Sequence, residues 1–293
     1  MYSRWYNVAV VVLWLAAMTW LVWEKILPSL LQGEPPDYRS ILDAQAREPP
    51  VGWHVACNGR PLGWALSFIK PLPHEQAEIH SRVHFDRLPT LESRSLFGAA
   101  LLQLLPRALE PMAIDADSVV RIDSLGMLLS FDSNLRMDRL QKLVHLKGDV
   151  EGSQLSLSAT AGTLSYQDTV ALPPKALLGG ALSPQTQLPG LRAGQTWKVP
   201  AFNPLRPKQP MEMLVAKVEG LEPIVWEDQT EEVWLVTCRS DPGYGAGRDR
   251  TPRNRLWVRR DGTVLRQESL LLDTSFTFTR MTPNEAEQLE RRQ

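Results

Sequence analysis

Beyond residue 50, hydrophobic and polar residues alternate with a period of two. From 77 to 85, small or apolar residues at the odd positions alternate with charged or histidine residues at the even positions. This pattern predicts a strand with one buried face and one solvent-facing face. The same alternation predicts a second strand over 269–278. Short apolar runs separated by glycines between 119 and 172 predict an antiparallel meander.

Two dipeptides between apolar runs have hairpin chemistry. Asn58-Gly59 and Asp261-Gly262 each supply the positive φ angles that a two-residue type I′ turn requires. We therefore predict a tight hairpin at each of these positions.

The second hairpin also predicts a register. A two-residue loop places Val258 opposite Leu265, and it places Trp257 on the other face of the sheet beside Arg266. Val258 is then expected in the core, whereas Trp257 is expected on a more open face, where the stem of Arg266 covers the ring.

Two segments favour helices over strands. The run 96–109 is too continuously apolar for a strand with a wet face, so we predict a helix packed on the sheet, kinked or ended by Pro106. Near the C-terminus, Thr282, Pro283 and Glu285 are the N-cap, first-turn proline and capping-box glutamate of a short helix.

The N-terminal run 5–23 is 19 residues long and carries no charge. As a helix it extends about 28 Å, enough for a hydrocarbon core of about 30 Å, and aromatic residues at both ends suit the headgroup layers. Arg4 precedes the run, so the positive-inside rule favours an N-terminus in the cytoplasm. A cleaved signal peptide is the competing interpretation, but its apolar region is usually shorter and no small-residue cleavage site follows closely.

These patterns divide the chain into four parts. We predict a transmembrane anchor over 1–27, a proline-rich stalk over 28–50, an extracytoplasmic β domain over 51–281 and a short C-terminal helix over 282–293. The predicted location is the cytoplasmic (inner) membrane, crossed once, with the bulk of the chain in the periplasm or outside.

Composition narrows the function classes. Lys and Arg total 32 against 33 Asp and Glu, so the chain lacks the basic footprint of a nucleic-acid binder. A hydrophobic fraction of 43% with 22% charged residues is typical of a globular protein, which excludes disorder and a collagen-like chain. With 23 Pro and 18 Gly, the chain is rich in turns.

Several short motifs occur in a recognisable order. They are GW at 52–53, NGRPLGW at 58–64, LSF at 129–131, LRAGQTW at 191–197, FNP at 202–204 and LWVRRDG at 256–262. Together they resemble a bacterial envelope β domain of the type found before transglutaminase-like modules, which is related to the curved-sheet carriers of lipoprotein localisation. The resemblance covers about 51–272 and implies a strongly curved sheet that partly wraps a helix and has an apolar concave face.

The fold class expected from pattern and resemblance is therefore mainly β (α+β). An N-terminal transmembrane helix precedes a curved antiparallel sheet with one or two packed helices. No transglutaminase-like module follows within the sequence, so we expect none of that catalysis here.

Candidate chemistry is sparse. His80 and His84 are four residues apart, but on a strand Arg82 lies between them on the same face and opposes a metal ion, so we expect a polar strand face and no metal. Cys57 and Cys238 are the only cysteines. In an oxidising compartment they form a disulfide if their strands approach, and otherwise they are two ordinary buried thiols.

Glycines and charges suggest no cofactor. The glycine-rich stretch 243–247 is not followed by a helix that could receive a phosphate, which leaves a long hairpin connection as the simpler interpretation.

Six acids and no bases lie in 219–232, whereas seven arginines and two aspartates lie in 239–260. We expect these patches at opposite ends of a strand over 233–238, as solvated surface or as a site for lipid phosphate or an acidic partner.

Tryptophans offer a hypothesis for an apolar ligand. Six follow the predicted anchor, and core packing is their default role. If a groove instead exposes some of them, the candidate ligand-binding residues are Trp53, Trp64, Trp197, Trp257 and Arg266.

These observations lead to two main hypotheses for the function of the chain. The first is a noncatalytic, membrane-anchored domain that binds a lipid-like or apolar ligand outside the cytoplasm. The second is an interaction or scaffold subunit for a separately encoded envelope enzyme or transporter. A hydrolase is a third hypothesis, but the sequence offers no catalytic residues for it.

Overall fold

The computed structural model describes residues 4–21, 49–73, 76–87, 113–123, 127–137, 140–162, 164–172, 184–202, 211–241, 251–271 and 274–292. The predicted helix over 96–109 and nearly all of the predicted stalk over 28–50 lie outside these residues, and both stay predictions.

Fourteen strands of the described chain form one antiparallel sheet, as the alternating pattern predicted. They are β1 (Val51–Cys57), β2 (Arg60–Leu72), β3 (Gln76–Phe85), β4 (Ile114–Ile122), β5 (Leu128–Met137), β6 (Leu140–Glu151), β7 (Gln154–Ala161), β8 (Leu164–Ala171), β9 (Thr196–Phe202), β10 (Met211–Trp226), β11 (Gln229–Ser240), β12 (Asn254–Val258), β13 (Val264–Leu271) and β14 (Thr274–Arg280).

The order across the sheet follows the chain with one exception. It runs β8-β7-β6-β5-β4-β3-β2-β1-β14-β13-β12-β11-β10-β9. Strands β4–β8 are the meander predicted between 119 and 172. The first and last strands pair in the middle of the sheet, so β8 and β9 are left as its edges.

The two faces of the sheet differ in burial. We call inner the face that carries Trp53, Val55, Phe276 and Phe278, each at most 2% exposed. The opposite face, called outer, carries the charged residues of β3 and β4. Inner side chains from β1–β5 and β9–β14 form one hydrophobic cluster, which we call the main core.

A second cluster continues the inner face toward β8. It contains Leu128, Phe131, Leu155, Leu157 and Leu172, with Val120, Leu146 and Val150 packed against it. A Cβ at Gly148 would lie 2.2 Å from a carbon of the Phe131 ring, so the glycine lets that ring lie directly on β6.

Residues 184–191 cross the inner face beside β13 and β14. The backbone N–H of Leu188 donates to the carbonyl of Gly262 at 2.7 Å, and Gln187 forms an isolated bridge with Thr263. Leu188 is 6% exposed and belongs to the main core. This segment therefore covers the middle of the sheet.

One predicted hairpin is confirmed and the other has a different turn. Asn58 and Gly59 have φ angles of 48° and 76°, as a type I′ turn requires. In the second hairpin only Gly262 has positive φ, and the N–H of Gly262 donates to the carbonyl of Arg259. The loop is longer than two residues, so Val258 lies opposite Val264 rather than Leu265. Trp257 does lie opposite Arg266, as predicted.

The prediction of a single strand over 269–278 is wrong. The chain reverses there, because Leu271 ends β13 and pairs with Thr274 at the start of β14. As a result Leu270 and Phe276, which the alternation placed on one face, belong to different strands and point to opposite faces.

Two helices of the described chain accompany the sheet. Helix α1 spans Arg4–Leu21 and exposes its side chains from Val10 to Trp20. Within the described residues, no helix combines the length and the apolar character needed to cross a membrane. The predicted span over 5–23 is thus not supported.

Helix α2 (Pro283–Arg291) confirms the predicted C-terminal helix. The Thr282 hydroxyl accepts from the N–H of Glu285, and the Glu285 carboxylate accepts from the N–H of Thr282, which completes the capping box. Ala286 is 4% exposed and lies over Gly52 of β1, so the helix packs on the outer face there.

Candidate ligand-binding face

A row of serines crosses the inner face from β2 to β5. Ser67 pairs with Ser81, Ser81 with Ser118, and Ser118 with Ser133, so the four lie side by side on neighbouring strands. The hydroxyls of Ser118 and Ser133 are hydrogen bonded at 2.9 Å. We call these four residues the serine row.

Apolar side chains flank the serine row on both sides. The inner positions two residues away from it on the same strands are Ala65, Ile69, Ile79, Val83, Ala116, Val120, Phe131 and Leu135. Those on one side belong to or pack against the main core, and Val120 and Phe131 on the other side belong to the second cluster. The serine row is therefore an uncharged polar stripe between two apolar surfaces.

One end of the stripe is buried and carries unsatisfied polar atoms. Trp53 and Ser67 are 0% and 4% exposed, and neither Trp53 Nε1 nor Ser67 Oγ has a hydrogen-bond partner. Val51 faces Ser67 and Trp53 faces Ala65, so Trp53 and Ser67 are diagonal neighbours on the inner face. A buried donor without a partner is costly, which makes a polar atom from a bound molecule or water favourable here.

The other end of the stripe is more open. Ser118 and Ser133 are half-buried, as are the flanking Ala116, Val120 and Leu135. The inner face therefore changes along the serine row, from a sealed end at Trp53 to an accessible apolar surface at β4 and β5. This arrangement can accept an uncharged amphiphilic molecule whose polar group meets the hydroxyls.

The five predicted ligand-binding residues do not share a surface. Trp53 and Trp197 lie on the inner face and belong to the main core. Trp64, Trp257 and Arg266 lie on the outer face, where Trp64 stacks on His84 with ring centroids 5.4 Å apart. Of the five, Trp53 is a diagonal neighbour of Ser67 at the end of the serine row, whereas Trp197 lies on the edge strand β9.

Trp257 is buried on the outer face. It is 7% exposed and packs with Val233 and Leu265, each 0% exposed. The Arg266 guanidinium lies 4.9 Å from the centre of its ring, as the predicted pairing required. The long β10–β11 hairpin covers this region, and Trp226 near its tip donates from Nε1 to the carbonyl of Arg280 at 3.1 Å.

The two cysteines are separate thiols. Cys57 pairs with Phe276 of β14 and Cys238 pairs with Asn254 of β12, so β14, β13 and β12 lie between their strands. Both are free thiols in the structure. Burial raises the pKa of the Cys238 thiol to about 12, so this group is a poor nucleophile.

The histidines of β3 belong to a network on the outer face. His80 lies 3.0 Å from Glu78, His84 lies 2.8 Å from Asp115, and both rings stack on aromatic side chains of β2. Arg121 donates to Glu78 at 2.7 Å and holds the pKa of that carboxyl below its usual value. Within the described chain, no three His, Cys, Asp or Glu side chains form a group that could hold a metal ion.

The acidic and basic patches predicted at opposite ends of β11 are instead interleaved. Arg259 donates two hydrogen bonds to Glu231, and Arg239 donates to Glu219 at 2.8 Å. Lys217, Arg239 and the Thr237 hydroxyl together lower the pKa of Glu219 to about 2. Antiparallel pairing of β10, β11 and β12 brings the two runs of charge side by side, and three acids of the first run form ion pairs with three arginines of the second.

The serine row was missed by sequence reasoning. The alternation over 77–85 does place Ser81 among the inner residues, and that single polar residue on a buried face was the available signal. Its three partners lie on other strands, and only the sheet register brings them together.

Comparison with known proteins finds two distant structural likenesses. No protein-family model matches the chain, and no curated protein matches it. A β-barrel-like protein of a domain of unknown function, DUF1849, from Brucella abortus is 12% identical, with 80% of this chain and 95% of that chain covered and a TM-score of 0.47. The hypothetical lipoprotein YmcC from Escherichia coli (K12) is 12% identical, with 84% and 93% covered and a TM-score of 0.28.

Both TM-scores lie below 0.5, so neither likeness carries an argument about this chain. The predicted link to transglutaminase-like modules stays a prediction.

Proposed function

We propose that this chain is a noncatalytic binding domain that holds an uncharged amphiphilic molecule, such as a neutral lipid ester, against the inner face of its sheet. The observation that carries the proposal is the serine row, an uncharged polar stripe that joins two apolar clusters and ends at two buried polar atoms without partners.

The chemistry of the stripe defines the ligand class. Hydroxyl groups and an indole N–H donate to ester or ether oxygens, and the flanking Ala116, Val120 and Leu135 contact methylene chains. A charged headgroup has no counter-ion among the inner positions that flank the row, all of which are apolar. An anionic or cationic group would therefore stay outside, toward solvent.

The location of this function rests on the sequence alone. The resemblance to envelope β domains favours the bacterial envelope, and the apolar N-terminal segment favours contact with its inner membrane. A protein partner in the envelope is a further expectation of the same kind.

Titration with the neutral fluorescent probe N-phenyl-1-naphthylamine tests the proposal. We expect saturable binding to the full chain, weakened at least tenfold by Ser133→Lys, because a cation then lies between the two apolar surfaces. The matched control is Ser156→Lys, the same change at an exposed outer position of β7.

The control also distinguishes probe binding at the inner face from probe binding to helix α1, because the exposed apolar side chains of α1 are identical in both variants. Equal probe binding by the two variants, with both folded by circular dichroism, would exclude the inner face as the site.

The scaffold function has one observation in its favour. Strand β8 is an edge of the sheet, and its residues 165–169 are all exposed. An exposed edge strand is a site at which another strand can pair.

A further inference from the structure

The two edges of the sheet differ in how they are protected. Edge strand β9 contains Lys198 and Pro200, the residue types that natural sheets use to block pairing with another strand. Edge strand β8 has the sequence LSYQDTVA, with no proline, no lysine and Asp168 as its one charge. Of the two edges of the described sheet, β8 is the one whose sequence lacks these blocking residues.

The hydrogen bonds of the β7–β8 pair show which backbone groups are free. Ala161 and Leu164 pair across the connection, and the N–H of Leu172 donates to the carbonyl of Ser153 at 2.8 Å. Because inward and outward residues alternate in an antiparallel pair, the even residues of β8 bond to β7. The N–H and C=O groups of Ser165, Gln167 and Thr169 therefore point away from the sheet.

One outward group already has a local partner. The N–H of Thr169 donates to the Asp168 carboxylate at 2.8 Å, and the Tyr166 hydroxyl donates to the same carboxylate at 2.7 Å. Both bonds are made by exposed side chains, so an incoming strand can replace them at little cost.

The sequence of β8 is complementary to itself when read antiparallel. With Gln167 opposite Gln167 of a second copy, Tyr166 faces Asp168, and the remaining pairs are Ser165 with Thr169 and Leu164 with Val170. Hydroxyls face hydroxyls and aliphatic groups face aliphatic groups. Shifting the register so that Asp168 faces Asp168 would place like charges opposite each other, which disfavours that pairing.

We propose that β8 pairs with β8 of a second copy of this chain, about a two-fold axis at Gln167, to form a homodimer with one continuous sheet. The axis makes the contact isologous and closed. Pairing covers Tyr166, which is 44% exposed in the single chain, and extends the inner face of the second cluster across the axis.

Cysteine crosslinking of the full chain tests this pairing and its register. In the Gln167→Cys variant the two new thiols lie opposite each other, with Cα atoms about 5.5 Å apart, within disulfide range. We expect oxidation with copper phenanthroline to yield a dimer of twice the 33.0 kDa chain.

The matched control is Ser165→Cys. In the dimer, the cysteines at position 165 of the two β8 strands are offset by four residues along the strands. This offset is about 13 Å, which is too far for a disulfide. Mixing the Ser165→Cys and Thr169→Cys chains restores crosslinking, because those positions face each other. Crosslinking of Ser165→Cys as strong as that of Gln167→Cys would refute the register.

Sedimentation equilibrium of the unoxidised chain gives a second test that does not depend on cysteine chemistry. We expect Gln167→Pro to raise the dimer dissociation constant at least tenfold, since it removes an outward N–H that β7 does not use. Gln167→Thr keeps that N–H and should dimerise as the parent does. A monomeric mass at every concentration, together with no Gln167→Cys crosslink, would overturn the proposal.

Discussion

Trp257 should contribute strongly to folding even though it lies on the outer face. It is 7% exposed, enclosed by Val233, Leu265 and Trp226, with the Arg266 guanidinium over its ring. Burial of an aromatic side chain removes roughly 150–250 Å² from water, which at about 25 cal/mol per Å² stabilises by about 4–6 kcal/mol. Alanine retains part of this contact, so we expect Trp257→Ala to lower the free energy of unfolding by about 3–5 kcal/mol.

Urea unfolding followed by far-UV circular dichroism measures this change without relying on tryptophan fluorescence. The slope against denaturant should stay constant while the midpoint falls. The matched control is Trp64→Ala, a half-buried tryptophan on the same face that stacks on His84, for which we expect about 1–2 kcal/mol.

Equal and small losses for both variants would refute the burial of Trp257 under the β10–β11 hairpin. A double variant with Trp226→Ala adds a check, because two residues in one cluster should show non-additive losses of about 0.5 kcal/mol or more.

Three further predictions concern pH, thiol reactivity and backbone packing. The pKa of Glu219 is lowered from 4.5 to about 2 in the folded chain, so its stabilisation is complete above about pH 4.5 and is lost as the pH falls toward 2. After discounting for solvent screening, we expect the loss of urea stability in this window to be smaller in Glu219→Gln than in the parent by on the order of 2 kcal/mol. With its pKa raised to about 12, Cys238 should react with a thiol reagent at pH 8 at least about a hundredfold more slowly than free cysteine, until urea unfolds the chain. A Cβ at Gly63 would lie 1.9 Å from the carbonyl oxygen of His84, so Gly63→Ala should destabilise by about 2 kcal/mol or more; an unchanged urea midpoint would contradict that contact.

Local pattern was sufficient for much of the sheet. The alternation over 77–85 matches β3, the glycine-separated runs match β4–β8, and the residues of the capping box match α2. Each of these features is encoded within about ten neighbouring residues, where side-chain alternation and capping chemistry act directly.

The same local reasoning failed where the chain reverses direction. Polar and apolar residues continue to alternate through 269–278, and the pattern does not mark the turn between Leu271 and Thr274. At Asp261-Gly262 the dipeptide marked a hairpin correctly, but the turn begins at Arg259, which shifts Val258 from Leu265 to Val264. Turn length is a property of the whole hairpin and its packing, here including Pro189 against Gly262.

The candidate site depended on long-range register. Ser67 and Ser133 lie far apart in the sequence, and they share one row only because β2 to β5 pair in a particular alignment. Likewise, the tryptophans proposed to line one groove are divided between two faces. Successive residues of a strand point to opposite faces, so the face of each tryptophan depends on its position within its strand. Composition pointed to tryptophans but could not assign each of them to a face of the sheet.

Extraction of the purified full chain with organic solvent, followed by mass spectrometry, tests the central claim most directly. We expect a neutral, ester-containing lipid to copurify with the parent chain and with Ser156→Lys, and its amount to fall at least tenfold in Ser133→Lys. Recovery of the same lipid at equal levels from all three chains, or of none from the parent, would contradict binding at the serine row.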